Sequence, residues 1–188
     1  MTTQLDSIQE SYNKYSSLPL VPYNMAKYLM DNDELIWKLL KYSSNDAWNK
    51  PNLTKAEKGA MIYKGAGATT EYRVFFTSSQ NSAWTDVATV LRMAPATLRP
   101  VNYVTGTQFV KFEAYTHEEC STLSNYQPRL LTIMQRLIEV FNGADIDGIG
   151  RLFFDYNATN GAARLTGVNV GDATFRGYEL IMGNKVLG

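Results

Sequence analysis

Cysteine and histidine are almost missing from these 188 residues, with one of each. The single Cys120 excludes an intramolecular disulfide. His117, Glu118, Glu119 and Cys120 bring metal-type side chains together, but no second cluster completes a zinc spacing. His117 and Cys120 stand too close along the chain to oppose each other as a nucleophile and its base. Excess charge is absent too, with 18 Lys+Arg against 18 Asp+Glu. Without a global basic field, any nucleic-acid contact has to be local. No apolar run approaches the roughly 20 residues that span a bilayer, so no membrane partner is expected. The opening MTTQLDSIQE has neither the basic nor the apolar region of a signal peptide. A reducing cytoplasm is the expected compartment.

What is present is apolar and aromatic. Hydrophobic residues make up 45% and charged residues 19%, with 12 Tyr, 8 Phe and 3 Trp. That composition is globular and too apolar for a disordered chain. The length suits a single domain over 1–188, with residues 1–24 as a candidate N-terminal arm.

The stretch from Thr107 to Asp155 organises the chain. QFVKFEAYT (Gln108 to Thr116) alternates, with Val110, Phe112 and Ala114 set against Lys111 and Glu113, which predicts a strand with one buried face. PRLLTIMQRLIEVFN (Pro128 to Asn142) follows a helical period. Leu130, Met134, Leu137 and Phe141 share a face flanked by Leu131 and Ile138, while Arg129, Thr132, Arg136 and Glu139 fall opposite. Pro128 suits the first helical turn and Gly143 the helix end. The turn IDGIG, with Gly148 and Gly150 free to take positive φ, leads into the strand RLFFDY from Arg151 to Tyr156.

The flanking elements are read the same way. Leu5, Ile8, Tyr12 and Tyr15 predict a short helix over 4–16, which SSLPLVPY breaks with Pro19 and Pro22. NMAKYLMDNDELIWKLLKY predicts one or two helices, with a break and a new cap at Asp31-Asn32-Asp33. Thr54 and Glu57 form a capping box for KAEKGAMIY. EYRVFFT (71–77) reads as a strand paired with VATVLRM (87–93) in a long hairpin. MAPAT is a turn flanked by Arg92 and Arg99. TLRPVNYV is extended, confined by Pro100 to an edge or a bulge. NATNGAARLTGVNVGDA is loop, and TFRGYELIM is a last strand. The sum is an α+β fold: a mostly antiparallel sheet with a long helix and N-terminal helices packed on it.

No constellation points to a cofactor, a metal or a catalytic centre, and the expectation is a protein that is not an enzyme. Asp145, Asp147 and Gly148 lack the further ligands of a calcium loop. KGAGATT (64–70) has its lysine on the wrong side for a phosphate loop. The loop Ser78 to Asp86 carries one aromatic, Trp84, among small polar residues. Trp84 and Asn81 of that loop, with Arg92, are the expected partner contacts.

Three stretches in order carry a resemblance: NDELIWKLLKY; the strand 108–116 with the helix ending in FNGADIDGIGRLFF; and FRGYELIM. Together the chain resembles the neck proteins of tailed bacteriophages, especially the tail-terminator or tail-completion group. The resemblance is carried best by 108–156. It implies a small α+β subunit assembled in a ring, usually a hexamer, between head connector and tail tube. The implied partners are its own copies, other neck proteins and the tail tube protein, with DNA in the lumen as a candidate contact. The implied location is the virion neck, after assembly in the host cytoplasm. A longer N-terminus before Asn24 and the insertion NATNGAARLTGVNVG depart from the pattern, so other head–tail connector or stopper positions stay open. An expectation of a different class is a monomeric or dimeric binding protein or enzyme.

Overall fold

The computed structural model describes residues 18–65, 71–77, 86–100, 106–147, 150–157, 159, 161–168 and 174–186. The helix expected at 4–16 lies outside these. The first described helix, α1, runs Val21–Asn32 with Pro22 in its opening turn, where a missing N–H loses no bond. Pro22 therefore starts a helix where the sequence reading had it breaking one. Val21, Met25, Ala26 and Leu29 are its buried stripe.

The break expected at 31–33 is present. Helix α2 (Leu35–Lys41) follows, and the Asp33 carboxylate accepts a hydrogen bond from Ile36 N at 2.6 Å. Ile36, Trp37, Leu39 and Leu40 are buried. Helix α3 (Lys55–Ala60) opens with the expected capping box, Thr54 and Glu57 each accepting from the other's backbone N–H.

Among the described residues the sheet has seven strands: β1 (Val74–Phe75), β2 (Thr89–Pro100), β3 (Gly106–His117), β4 (Asp145–Ile146), β5 (Gly150–Phe153), β6 (Arg164–Val168) and β7 (Phe175–Val186). Their order is β1-β2-β3-β7-β5-β4, with β6 also on β7 beside β5. All pairings are antiparallel except β1 with β2. The fold class is thus α+β with a mostly antiparallel sheet, as the residue pattern implied.

Three expectations are corrected here. EYRVFFT forms no hairpin with VATVLRM. Its Val74–Phe75 core runs parallel to Leu91–Arg92, and residues 76–88 supply the roughly dozen residues that a parallel crossover needs. On its other side this strand bonds Met61 and Tyr63, through Val74 N to Met61 O at 3.1 Å and Tyr63 N to Val74 O at 2.9 Å. MAPAT is no turn either: β2 runs through it, shifting register between Pro95 and Thr97. A bulge there absorbs the proline that cannot donate to the ladder. The stretch read as loop after Asn157 contains β6, whose Arg164 to Gly167 are all exposed. With no apolar alternation to mark it, that strand was not legible.

Helix α4 (Arg129–Phe141) lies across the inner face of the sheet, with the Phe141 and Phe112 ring centroids 5.0 Å apart. Leu130, Met134, Leu137 and Phe141 are buried as expected, joined by Ile133. The sheet contributes matched rows, Met93–Phe112–Leu180 and Leu91–Ala114–Tyr178. Gly143 and Gly150 take positive φ, 83° and 81°, at the two turns that required it. Arg129 is the exception on the helix: expected on the solvent side, it is fully buried.

Candidate functional site

The outer face of the sheet is built by the same alternation that fills the core. In register across it lie Arg92, Glu113, Glu179 and Thr166, with Ala94, Lys111, Ile181 and Arg164 as the next row. Glu113 and Glu179 are directly opposed, an arrangement that repels unless cations intervene. Lys111 Nζ stands 2.8 Å from Glu113 and 3.8 Å from Glu179, Arg164 is 3.0 Å from Glu179, and Arg92 is 4.0 Å from Glu113. The Arg92 guanidinium also lies 5.1 Å over the Tyr115 ring. Burial, then the Glu113 charge, pushes the Tyr115 phenol up. Arg92, one of the three residues singled out in the sequence, is therefore half-buried within this network. Trp84 and Asn81 lie outside the described residues.

A second surface is formed by two loops that the sequence reading passed over. Loop 121–128 closes on itself through Leu123 N to Gln127 O and Tyr126 N to Leu123 O, both 2.9 Å. Loop 43–50 lies against it: Ser124 N donates to Asn45 O at 2.8 Å, and Trp48 Nε1 donates to Ser124 Oγ at 2.9 Å. Tyr126 at the tip is 92% exposed and has φ of 64°. Its side chain has no hydrogen bond, ion pair or ring contact among the described residues. The only charges of loop 43–50, Asp46 and Lys50, pair with each other at 2.9 Å. The signal that singled out Trp84, one aromatic among small polar residues, also stands at Trp48 and Tyr126.

Buried Arg129 holds both loops. Its guanidinium donates to Cys120 O (2.6 Å), Leu39 O (2.8 Å), Tyr42 O (2.7 Å), Ser43 O (3.3 Å) and Ser44 O (2.6 Å). These acceptors include carbonyls at the end of α2 that no helical N–H can reach. Burial pulls its pKa below the usual arginine value. Five aligned donors are what only a guanidinium supplies.

A third feature is an open pocket of about 280 Å³ between α1 and the β4 turn. Tyr28 and Ile146 give it an apolar wall, and Asn24, Lys27, Asp145 and Asp147 are among its polar lining. Asn24 Nδ2 donates to Asp147 O at 2.8 Å, tying the turn to the helix. The carboxylates of Asp145 and Asp147 have no bonding partner among the described residues. The His117–Cys120 cluster is divided by the fold. The Cys120 thiol is buried beside Thr116 Oγ1 at 3.2 Å, while His117 Nδ1 accepts from Glu119 N at 3.3 Å. Among the described residues no group of three His, Cys, Asp or Glu side chains is placed to hold a metal ion, and no helix is long and apolar enough to cross a membrane.

No curated protein matches the chain. The family model YomW matches it over residues 33–183, well over half its length and including the strand–helix–strand unit and most of β7. The chain belongs to the YomW family, whose gene name is a phage-derived one.

Proposed function

We propose that this protein is a structural subunit of a phage neck, assembling as a ring that joins the head connector to the tail, of the tail-terminator or tail-completion type. It acts by shape and contact, without catalysis. The observation that carries the reading is the resemblance of the 108–156 unit and of FRGYELIM to neck proteins. In the fold these stretches are adjacent: β7 pairs along the whole of β3, and α4 packs on both. The phage-derived family supports the setting. An aromatic tip standing clear of a rigid α+β body suits contact with other subunits. The partners on this reading are further copies of the chain, neighbouring neck proteins and the tail tube.

The test is a phage lacking this gene. Filled heads and tails are expected to accumulate unjoined, or with tails of abnormal length, and antibody labelling of complete virions should mark the neck. Normal infectious particles, with the protein absent from the purified virion, would sink the reading.

A further inference from the structure

Tyr126 presents a physical anomaly. A bulky residue at positive φ is strained, and the Tyr126 side chain makes no compensating hydrogen bond, ion pair or ring contact among the described residues. Glycine or asparagine would suit the turn better. The backbone that carries the ring is nevertheless held in place, because Arg129 and the Trp48–Ser124 bond tie the two loops together. Preorganised aromatics bind at low entropic cost.

The pocket between α1 and β4 has complementary chemistry. Half-buried Tyr28, with the edge of buried Ile146, offers apolar surface for a ring, and the Asp145 and Asp147 carboxylates, without a bonding partner among the described residues, can accept hydrogen bonds at its mouth. A phenol supplies one ring and one donor. The tip also stands at the positive N-terminal end of α4, facing a partner site rich in carboxylates. The two features occupy opposite ends of that helix. Loop 121–128 leads into its first residue, and the pocket's Asp145 follows four residues after its last. Thirteen residues make about 20 Å of separation.

We infer that Tyr126 of one copy inserts into the α1–β4 pocket of the next copy, a head-to-tail contact between identical chains. Donor and acceptor at opposite ends of one subunit generate a ring when the rotation closes. The inference rests on the ring reading for its neighbour and names the surfaces that meet. Nucleic acid is disfavoured as the occupant, since its binding needs free cations: Lys50 is paired and Arg129 is buried.

Two full-length variants that keep the Tyr126 ring test it, Gln127→Cys beside the ring and Lys27→Cys on the pocket rim. The native Cys120 is buried and leaves them the reactive thiols. Mixed under mild oxidation, they are expected to form a disulfide joining one variant to the other, and the double variant a ladder of linked copies. Tyr126→Gly is expected to melt at the same or a higher temperature, since glycine suits φ of 64°, while self-association weakens about tenfold or more. Tyr126→Gly assembling as well as the parent would overturn the inference. So would position 127 cross-linking only to another protein, to DNA or to lipid. Rings in virions with no 127-to-27 link would overturn it and leave the ring reading standing. A chain that never self-associates and is absent from virions would overturn both.

Discussion

Arg129 shows how one side chain can hold two loops in place. Its five acceptors are all carbonyl oxygens, three of them 85–87 residues away in the chain. Replacing it with leucine would leave the buried Cys120 and Leu39 carbonyls unsatisfied, each at a desolvation cost, and would cut the partly buried bonds to Tyr42, Ser43 and Ser44. Arg129→Leu is expected to destabilise by about 3–5 kcal/mol, read as a shift in the denaturant midpoint. Arg129→Lys should fall between, because an ammonium offers three donors without the planar fork. A loss below about 1 kcal/mol in the leucine variant would show that the loops do not depend on the clamp. Glu57 gives a residue-scale prediction in pH. Lys41, then the Thr54 backbone N–H, hold its carboxyl down at about 2. A depressed folded pKa contributes stability above the ordinary glutamate value, and that contribution is lost as pH falls through about 2. NMR titration should place the Glu57 midpoint there and move it upward in Lys41→Met. A midpoint near 4.5 in the parent protein would refute the pairing.

At the scale of elements, α4 and the sheet supply most of the core. The inner rows of β2, β3 and β7 meet Leu130, Met134, Leu137 and Phe141 of the helix, and α1 and α2 extend that layer. Leu137 is fully buried, so Leu137→Ala should cost about 2–5 kcal/mol, the range for a leucine cavity in a packed interior. Thermal or chemical unfolding reads it directly, and a loss under about 1 kcal/mol would mean that the site collapses around the cavity. The outer face depends on charge where the inner face depends on apolar contact. Glu113 and Glu179 can face each other across β3 and β7 because Lys111 and Arg164 stand against them.

For the whole molecule, the polar stretch from Ser78 to Asp86 lies in sequence between the parallel strands β1 and β2. On the neck reading it carries partner contact through Trp84 and Asn81. Replacing Asn81 and Trp84 together by alanine keeps the length that a parallel connection needs, and is expected to leave a folded subunit and to block assembly of infectious particles. Circular dichroism on the purified variant and plaque formation by the mutant phage give the two readouts. A variant that unfolds would show that the stretch serves the fold, and one that plaques normally would remove it from the contact surface.

The residues alone determined what depends on near neighbours in the chain. The helical stripe of α4 and the alternation of β3 were legible as periods, because side-chain direction follows from backbone geometry. So were the capping box at Thr54, the break before α2, and the glycine turns at 143 and 150, because each is satisfied within a few residues. The α+β class followed from the order of those periods. Tertiary structure alone decided what depends on distant partners. Val74–Phe75 could pair in either direction until Met61 and Leu91 closed on its two edges. Strand β6 carries no buried face of its own and exists through its ladder with β7. Arg129 looked like a solvent-facing charge because its nearest sequence neighbours offer it nothing. It is buried because it meets carbonyl oxygens 85–90 residues away, the Leu39 and Ser44 oxygens among them. The exposure of Tyr126 belongs with these, since only the fold shows that none of the described residues covers the ring. Local backbone preference can be read from a short window of sequence, whereas the satisfaction of buried polar groups is a property of the closed fold.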